Sequence, residues 1–301
     1  MSYRLRTGES VQDGIRRVIS EQIEKSLGEV ADTNLDRADT IHQVRKRCKK
    51  IRAALRLIRG ALGEAYSKEN AWYRDVARRI SDVRDTEAMI ETCGALAEHF
   101  DAQVDREIIR PIRLRLETRK NTLMEDTGRI DKLLQDFESA MVVGHKRVAT
   151  LSIESDGYGA ALEGMRRTYS RACAAMDAAC DNPTPDTFHE WRKRVKYHWY
   201  HMRLLRDTWP TVVRARRDEA EKLGELLGNH HDLCVLRAWV LNDPASSAKE
   251  EVLTSFIKLV EERTAQIERE SKPLGRRLFA EKPKHLARRF AIYFSVWSEE
   301  D

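Results

Sequence analysis

The chain has 301 residues, of which 41% are hydrophobic and 34% are charged, with a net charge of +5. This composition is too apolar for a disordered protein and too polar for a membrane protein, and the length allows one large or two ordinary domains. No run approaches the ~20 apolar residues of a membrane span, and the start of the chain lacks the apolar segment of a signal peptide. Five cysteines without a CxxC motif favour reduced thiols, so we expect a cytoplasmic protein without a membrane partner.

The first half of the chain predicts four helices. They are an amphipathic helix over Val11–Val30, a basic helix that includes 41–59, a helix over about 65–92 interrupted near Gly94, and a helical stretch over about 96–142 with a break or kink at Pro111. Glycine and serine then become frequent, so we place a connector at 144–156 between a first repeat at 8–143 and a second repeat at 157–298.

The second half restarts the same pattern. Gly164-Met165-Arg166-Arg167 matches Gly14-Ile15-Arg16-Arg17 at an offset of 150, and a turn at 181–185 precedes a second basic helix. Prolines 210 and 244 bracket a further long helix, and Pro273 and Pro283 are expected to separate the last ones. No segment alternates as a strand would, so the predicted fold is all-α.

The first basic helix carries two parallel stripes. Its apolar residues recur at steps of three and four, which is the spacing of one buried helix face: Ile41, Val44, Cys48, Ile51, Leu55 and Ile58. A polar residue follows each of them, about 100° further round the helix: His42, Arg45, Lys49, Arg52, Arg56 and Arg59. The segment 41–59 has eight basic residues and no acid, which packing alone does not require.

The second basic helix repeats the first. An ungapped offset of 147 superimposes 188–206 on 41–59 with eight identities in nineteen positions, and the histidine, Arg45 and Lys49 recur as His189, Arg192 and Lys196. The offset also aligns Asp85 with Asp232. We therefore predict a four-helix unit of roughly 150 residues used twice, as two bundles related by a pseudo-two-fold axis.

The charge distribution indicates a local anion site. Segment 41–59 carries a net charge of +8 and segment 188–206 carries +5, so the rest of the chain carries −8. Cations at one-turn spacing suit a linear anion that lies along the helix. The alternative is a solvated face neutralised by acids such as Asp82, Asp85, Glu225 and Asp232.

The histidines allow two readings. His42 and His189 could contact a phosphate oxygen or act as hydrogen-bonded structural residues. A metal site would draw on His198, His201 or the His230-His231-Asp232 cluster, but no metal-binding signature accompanies them, and structural roles are favoured.

Nucleic acid is the main competing ligand. Tyr197, Trp199 and Tyr200 interleave with the second basic helix and could stack on bases, whereas Trp191 aligns with the apolar stripe and is assigned to the core. No nucleotide-binding or nucleophile motif is present, so we predict neither an enzyme nor a cofactor.

With these motifs in view, the chain resembles the CHAD family, the conserved-histidine α-helical domain. His42-x-x-Arg45-x-x-x-Lys49-x-x-Arg52 and His189-x-x-Arg192-x-x-x-Lys196 fit its hallmark, as do the acids of Arg84-Asp85 and Asp232. Trp199 departs from the pattern, because it stands where the second repeat would carry an arginine. The resemblance implies two four-helix bundles around a basic central groove, and binding of inorganic polyphosphate without catalysis. We find no ExExK motif of the accompanying hydrolase domain and expect a stand-alone module, with polyphosphate granules as one place where it could act.

The hypothesis for the site is therefore a groove lined by both basic helices. Its predicted polyphosphate-binding residues are His42, Arg45, Lys46, Lys49, Arg52, Arg56, His189, Arg192, Lys193, Lys196 and Arg203. A nucleic-acid or general polyanion binder, and a basic scaffold for an acidic protein partner, are the alternatives that stay open.

Overall fold

The computed structural model describes residues 3–100, 104–154, 157–242 and 250–300, with the backbone alone at 82–84 and 105–106. Eleven α-helices form within these residues, and the prediction of an all-α fold is confirmed there. They are α1 (Val11–Ala31), α2 (Arg37–Leu57), α3 (Ala65–Arg78), α4 (Asp82–His99), α5 (Arg110–Glu125), α6 (Thr127–Ala149), α7 (Tyr158–Asp181), α8 (Pro185–Leu204), α9 (Pro210–Asn242), α10 (Glu250–Leu278) and α11 (Pro283–Ser298).

Two predicted helix boundaries in the first half are wrong. The chain breaks at 79–81 between α3 and α4, and Gly94 lies inside α4 instead of ending a helix. The reason is that Met89, Cys93 and Leu96 form one buried stripe of α4, whose packing outweighs the low helix propensity of the glycine. Under the offset of 147, both α3 and α4 correspond to the single helix α9.

The connector also begins later than predicted, because α6 continues through Gly144 to Ala149. Gly144 is required for a close approach and does not break the helix. A Cβ atom there would lie 3.0 Å from Oη of the buried Tyr73, whose hydroxyl donates to the Gly144 carbonyl at 3.4 Å. The glycine therefore lets α3 pack closely on α6.

The prolines have different effects. Pro111 is the second residue of α5, directly after a π-helical turn at Asp105–Ile109, so the break expected there is confirmed. Pro283 begins α11, where its missing N–H costs nothing. Pro273, however, lies inside α10 and does not separate two helices, so that prediction is wrong.

Two hydrophobic cores hold the helices together, and each contains residues from both halves of the chain. The larger core draws on α1, α2, α3, α6, α7, α8, the first half of α9, the end of α10 and α11. The smaller one joins α4 and α5 to the second half of α9 and to α10. Because α9 and α10 run through both cores, the two sequence halves cannot separate without exposing apolar surface.

The contacts between the halves centre on α2. This helix packs on α7 and α8 as well as on its neighbours α1, α3 and α4, while α4 packs on α9. The crossing of α2 and α7 is tight, since a Cβ atom at Gly164 would lie 1.8 Å from the carbonyl oxygen of Leu57. Glycine at this place therefore sets the distance between the two halves.

The cysteines are all free thiols, and Cys48 and Cys93 are buried. Among the residues described, none of the helices is both long enough and apolar enough to span a membrane.

Candidate polyanion-binding groove

The first basic helix, α2, forms as its sequence predicts. The Asp36 carboxylate accepts a hydrogen bond from the Asp39 amide at 2.8 Å and caps the helix start. All six residues of the predicted apolar stripe are buried, with at most 1% exposure. Packing of this face fixes the rotation of α2, and therefore fixes where its basic stripe points.

The second basic helix, α8, has a stronger start signal. Thr184 and Thr187 form a reciprocal capping box, and Pro185 occupies the first helical position. Trp191 is fully buried, as its alignment with the apolar stripe predicted. The helix end lies against α2, where Nε2 of the buried His201 donates to the Ala53 carbonyl at 3.2 Å.

The helices α2 and α8 run in opposite directions where they cross. Ala53 of α2 contacts His201 of α8, while Arg56 lies with its guanidinium 3.9 Å from the Tyr197 ring. At the other end of the crossing, Lys50 and Arg203 lie close enough for the Arg203 charge to lower the pKa of Lys50, although burial is the larger cause.

The leading arginine of each motif is paired with the acid that the sequence repeats. Arg45 donates to the Ala77 carbonyl at 2.9 Å, and its guanidinium lies 3.8 Å from the Asp85 carboxylate. Burial lowers the pKa of Arg192, and the charge of Asp232 opposes that shift. The alternative of acidic neutralisation therefore holds in part, for these two positions.

Of the other acids considered, Glu225 raises the pKa of Lys196 only as a minor influence against burial. The side chains of Asp82 and Arg84 lie outside the described residues.

The repeated acids converge on one cavity. An open space of about 450 Å³ between α4 and α9 is lined by Asp85, Ala88, Met89, His231, Asp232 and Val235. Two acids that are 147 positions apart in sequence thus face a common cavity, with the motif arginine of each half beside its own acid.

Glycines of α9 make room for the cations of α8. A Cβ atom at Gly224 would lie 3.3 Å from Cε of Lys196, and one at Gly228 would lie 3.7 Å from Nε of Arg192. Both side chains therefore lie along the backbone of α9. Burial and the charge of Arg192 lower the pKa of Lys196, which means that the cation has lost water without gaining full compensation. An anion in this groove would supply that compensation.

The histidine of the second motif contacts a second histidine. Nδ1 of His189 lies 3.0 Å from Nδ1 of His231, so one ring donates to the other. Burial and the charges of Lys193 and Arg192 lower the pKa of His189, and burial and the charge of Arg192 lower that of His231 to about 3. Both rings are therefore neutral at pH 7 and act as hydrogen-bonding groups. His42, in the first motif, is half-buried on α2.

The histidines considered as metal ligands, and for which structural roles are favoured, have structural contacts. His198 is fully buried and accepts a hydrogen bond from Nε of Arg216 at 3.1 Å. His230 is buried and donates to Glu268 at 3.1 Å. These two partners lie on different helices, which agrees with the structural reading of this cluster.

The later positions of the two stripes differ. In α2, Arg52 and Arg56 both donate to the Asn70 side-chain oxygen, at 3.1 and 3.4 Å. In α8, the ring of Trp199 lies between two cations, 5.3 Å from the Lys196 ammonium and 4.7 Å from the Arg203 guanidinium. Trp199 thus makes cation–π contacts with both of these neighbours. Tyr200 is buried.

Two predicted site residues are more exposed than Lys196. Lys46 and Lys193 occupy equivalent places in the repeat, and both are exposed. Lys193 forms an ion pair with Glu190 at 2.5 Å, while the charge of Lys46 acts on Lys50. Lys193 is therefore compensated by an acid of its own helix, and its charge also acts on His189.

The predicted site omits four arginines that lie next to the groove. Arg59, Arg167, Arg171 and Arg194 are close enough to one another to influence each other's pKa. The match of Arg166-Arg167 to Arg16-Arg17 gave a weak signal, but nothing local placed α7 beside the end of α2.

Known proteins resemble this chain in sequence and in fold. Two relatives from Mycobacterium tuberculosis, "Uncharacterized protein Rv2226" (strain H37Rv) and "Uncharacterized protein MT2285" (strain CDC 1551), are 29% and 28% identical over 257 residues. The alignment covers 80% of this chain and 48% of each relative, so the chain spans about half their length.

A solved structure has the same fold. The crystal structure of the CHAD domain from the plant Ricinus communis superimposes with a TM-score of 0.60 at 16% identity, and the match covers 93% of each chain. The family model described as CHAD domain matches residues 17–241, which include both basic helices and both repeated acids. The chain therefore belongs to the CHAD domain family.

Proposed function

We propose that this protein binds inorganic polyphosphate, without cleaving it, in the groove between α2, α8 and α9. The observation that carries the proposal is the meeting of the two basic stripes, on helices that pack directly against each other. Membership of the CHAD family is consistent with polyphosphate-related binding.

We further infer that the groove has pseudo-two-fold symmetry. At the offset of 147, Arg56 is equivalent to Arg203, and Lys50 is equivalent to Tyr197. The neighbours Arg56 and Tyr197 therefore correspond to the neighbours Arg203 and Lys50, and Asp85 corresponds to Asp232 on the same cavity. Such a correspondence is what a two-fold axis between α2 and α8 would produce. It supports two tandem repeats around a shared basic groove.

The chemistry of the groove suits a linear polyanion. Between His42 and Arg56 the helix rises about 21 Å, so the cations of α2 can contact several successive phosphates. An arginine guanidinium can donate two parallel hydrogen bonds to phosphate oxygens, whereas a lysine ammonium acts as a point charge. Lys196, which is poorly compensated in the free protein, gains most from a bound anion.

A titration with pyrophosphate, tripolyphosphate and long-chain polyphosphate tests the proposal. We expect affinity in the groove to rise with chain length and to fall steeply with salt, because binding releases counterions from the polymer. Released orthophosphate should stay at the level of a protein-free control. Affinity for long chains no higher than for pyrophosphate would contradict the groove, and steady phosphate release would contradict the absence of catalysis.

Competition separates the remaining alternatives. Duplex DNA and RNA, added at matched phosphate concentration, should not displace labelled polyphosphate. Displacement would indicate a general polyanion binder. An acidic protein partner that is retained by a variant lacking both Arg45 and Arg192 would favour a scaffold that does not use the groove.

A further inference from the structure

Five arginines meet where α2, α7 and α8 come together. This arginine cluster consists of Arg56, Arg59, Arg167, Arg171 and Arg194. Burial lowers the pKa of Arg171, and the charges of Arg194, Arg59, Arg167 and Arg56 lower it further. Arg59 is shifted in the same direction, chiefly by burial and then by Arg167, Arg56 and Arg194. Like charges this close repel each other in the free protein.

Within the part of the chain that the structure describes, nearby acids form an ion pair with only one member of the cluster, Arg194. The Glu163 carboxylate accepts two hydrogen bonds from the Arg166 guanidinium, from Nε at 2.7 Å and from Nη2 at 2.8 Å. Glu190 is shared between Lys193 and Arg194. Among the described residues, Arg59, Arg167 and Arg171 take part in no ion pair.

The corresponding place in the first repeat is neutral. At the offset of 150, Arg17 stands for Arg167 and Glu21 stands for Arg171. Arg17 lies 3.1 Å from the Glu21 carboxylate, and it also donates to Glu9 at 2.8 Å. The position that holds an acid, Glu21, in the first repeat therefore holds a cation, Arg171, in the second.

The basic helices show the same contrast at one of two positions. At the offset of 147, Arg47 stands for Arg194, and both are paired with an acid, Arg47 with Glu29 and Arg194 with Glu190. Arg206 stands for Arg59 and lies 3.4 Å from Asp207. The repeat thus folds with this place neutralised, so packing does not explain the uncompensated charge on the other side.

Aromatic rings orient the guanidinium groups. Arg59 lies 4.7 Å from the Tyr66 ring, and Arg56 lies 3.9 Å from the Tyr197 ring. A guanidinium stacked on a ring keeps its N–H edge available for an oxygen acceptor. In addition, Nε of Arg56 is buried without a hydrogen-bond partner. The positive charge of the cluster and the orientation of its guanidinium N–H donors both favour an anion here.

We propose that the arginine cluster is a second anion site, which binds a compact phosphate anion with several charges, such as tripolyphosphate. Its members converge from three helices, whereas the groove cations follow one another along a helix, so the cluster fits a short anion. The site adjoins the groove at Arg56, and its existence does not depend on polyphosphate lying in the groove.

The test is a titration of tripolyphosphate at constant ionic strength. Arg171→Glu recreates the ion pair of the first repeat and should weaken binding by about ten- to a hundred-fold, the loss of one or more charge-assisted hydrogen bonds. Arg110→Glu is the control, because it changes the net charge equally at an exposed position of α5, which packs on α4. Equal losses in the two variants, or no binding by the wild type, would overturn the proposal.

The groove variant Lys49→Ala with Lys196→Ala separates this site from the proposed function. Its affinity for tripolyphosphate should stay within about twofold of the wild type, while its affinity for long-chain polyphosphate should fall. Loss of tripolyphosphate binding there would place the anion in the groove and overturn the second site. If Arg171→Glu does not fold, Arg171→Gln and Arg59→Gln, which remove the charge without reversing it, provide the same test. Each should lose more affinity for tripolyphosphate than Arg110→Gln does, and an equal or smaller loss would overturn the proposal.

Discussion

Two lysines of the groove offer the sharpest test of the site, since the repeat supplies its own control. Lys49 and Lys196 are equivalent by the offset of 147, as are Lys46 and Lys193. Both pairs lie on α2 and α8, and both double alanine variants remove two positive charges. The charge of Lys49 acts on His231 and Lys196 lies against Gly224, whereas Lys46 and Lys193 are exposed and Lys193 is paired with Glu190. A purely electrostatic attraction to the whole protein would not distinguish them.

The magnitude follows from burial. Lys196 is half-buried and lies against the α9 backbone, so its contact with phosphate should contribute about 1.5–3 kcal/mol, and the more exposed Lys49 about 1 kcal/mol. The double variant Lys49→Ala with Lys196→Ala should therefore weaken the binding of long-chain polyphosphate by roughly 60- to 700-fold. Lys46→Ala with Lys193→Ala should cost at most about 1 kcal/mol, which is about fivefold.

The assay is a competition titration at one salt concentration, with thermal unfolding of each variant as a folding control. Unfolding midpoints should stay close to that of the wild type in both variants, because none of the four lysines is part of a core. Comparable affinity losses in the two double variants would refute the placement of the groove. A larger loss from the Lys46 and Lys193 pair would place the anion on the outer surface.

Three further predictions concern single positions. Trp199→Arg should raise long-chain affinity by about three- to tenfold, because it adds the missing cation; a lower affinity in the same titration would show that the ring is needed to hold its neighbours. Burial lowers the pKa of Lys50 to about 7, so between pH 7 and its ordinary value of 10.5 the unfolded chain binds more protons than the folded one, and stability rises with pH. Lys50→Met should therefore be more stable than the wild type at pH 6, and denaturant unfolding should show this advantage shrink as the pH rises above 7; a constant difference would contradict the assignment. Gly164→Ala should cost at least about 3 kcal/mol of unfolding free energy, since its Cβ would meet the Leu57 carbonyl, whereas Gly159→Ala in the same helix has open space and should stabilise by about 0.5–1 kcal/mol; similar values for the two would show that the helix crossing is loose.

Much of the site could be predicted from the sequence, for a local reason. The three-and-four spacing of Ile41, Val44 and Cys48 determines which face of α2 is buried, and that in turn determines where Arg45 and Lys49 point. The capped helix starts and the register of the two repeats are likewise encoded within a few residues or by a fixed offset. These features do not depend on how the helices are arranged.

Glycines show where local reasoning fails. The sequence pattern predicts the start of a connector at Gly144 and the end of a helix at Gly94, yet both lie within helices. At Gly144 the cause is the approach of Tyr73, a residue 71 positions away, which sequence pattern cannot reveal. The breaking effect of a glycine is small, about 1 kcal/mol, and tertiary packing readily exceeds it.

By itself, the sequence determined that this is a helical protein with a basic motif used twice, because periodicity and repetition are properties of the chain alone. Only the tertiary structure decided which of the repeated charges are compensated. Arg17 meets Glu9 and Glu21, whereas Arg167 meets other arginines, although the two begin from matching segments. The physical reason is that a charge is neutralised by whatever the packing of distant helices brings within a few ångströms, and sequence spacing does not contain that distance.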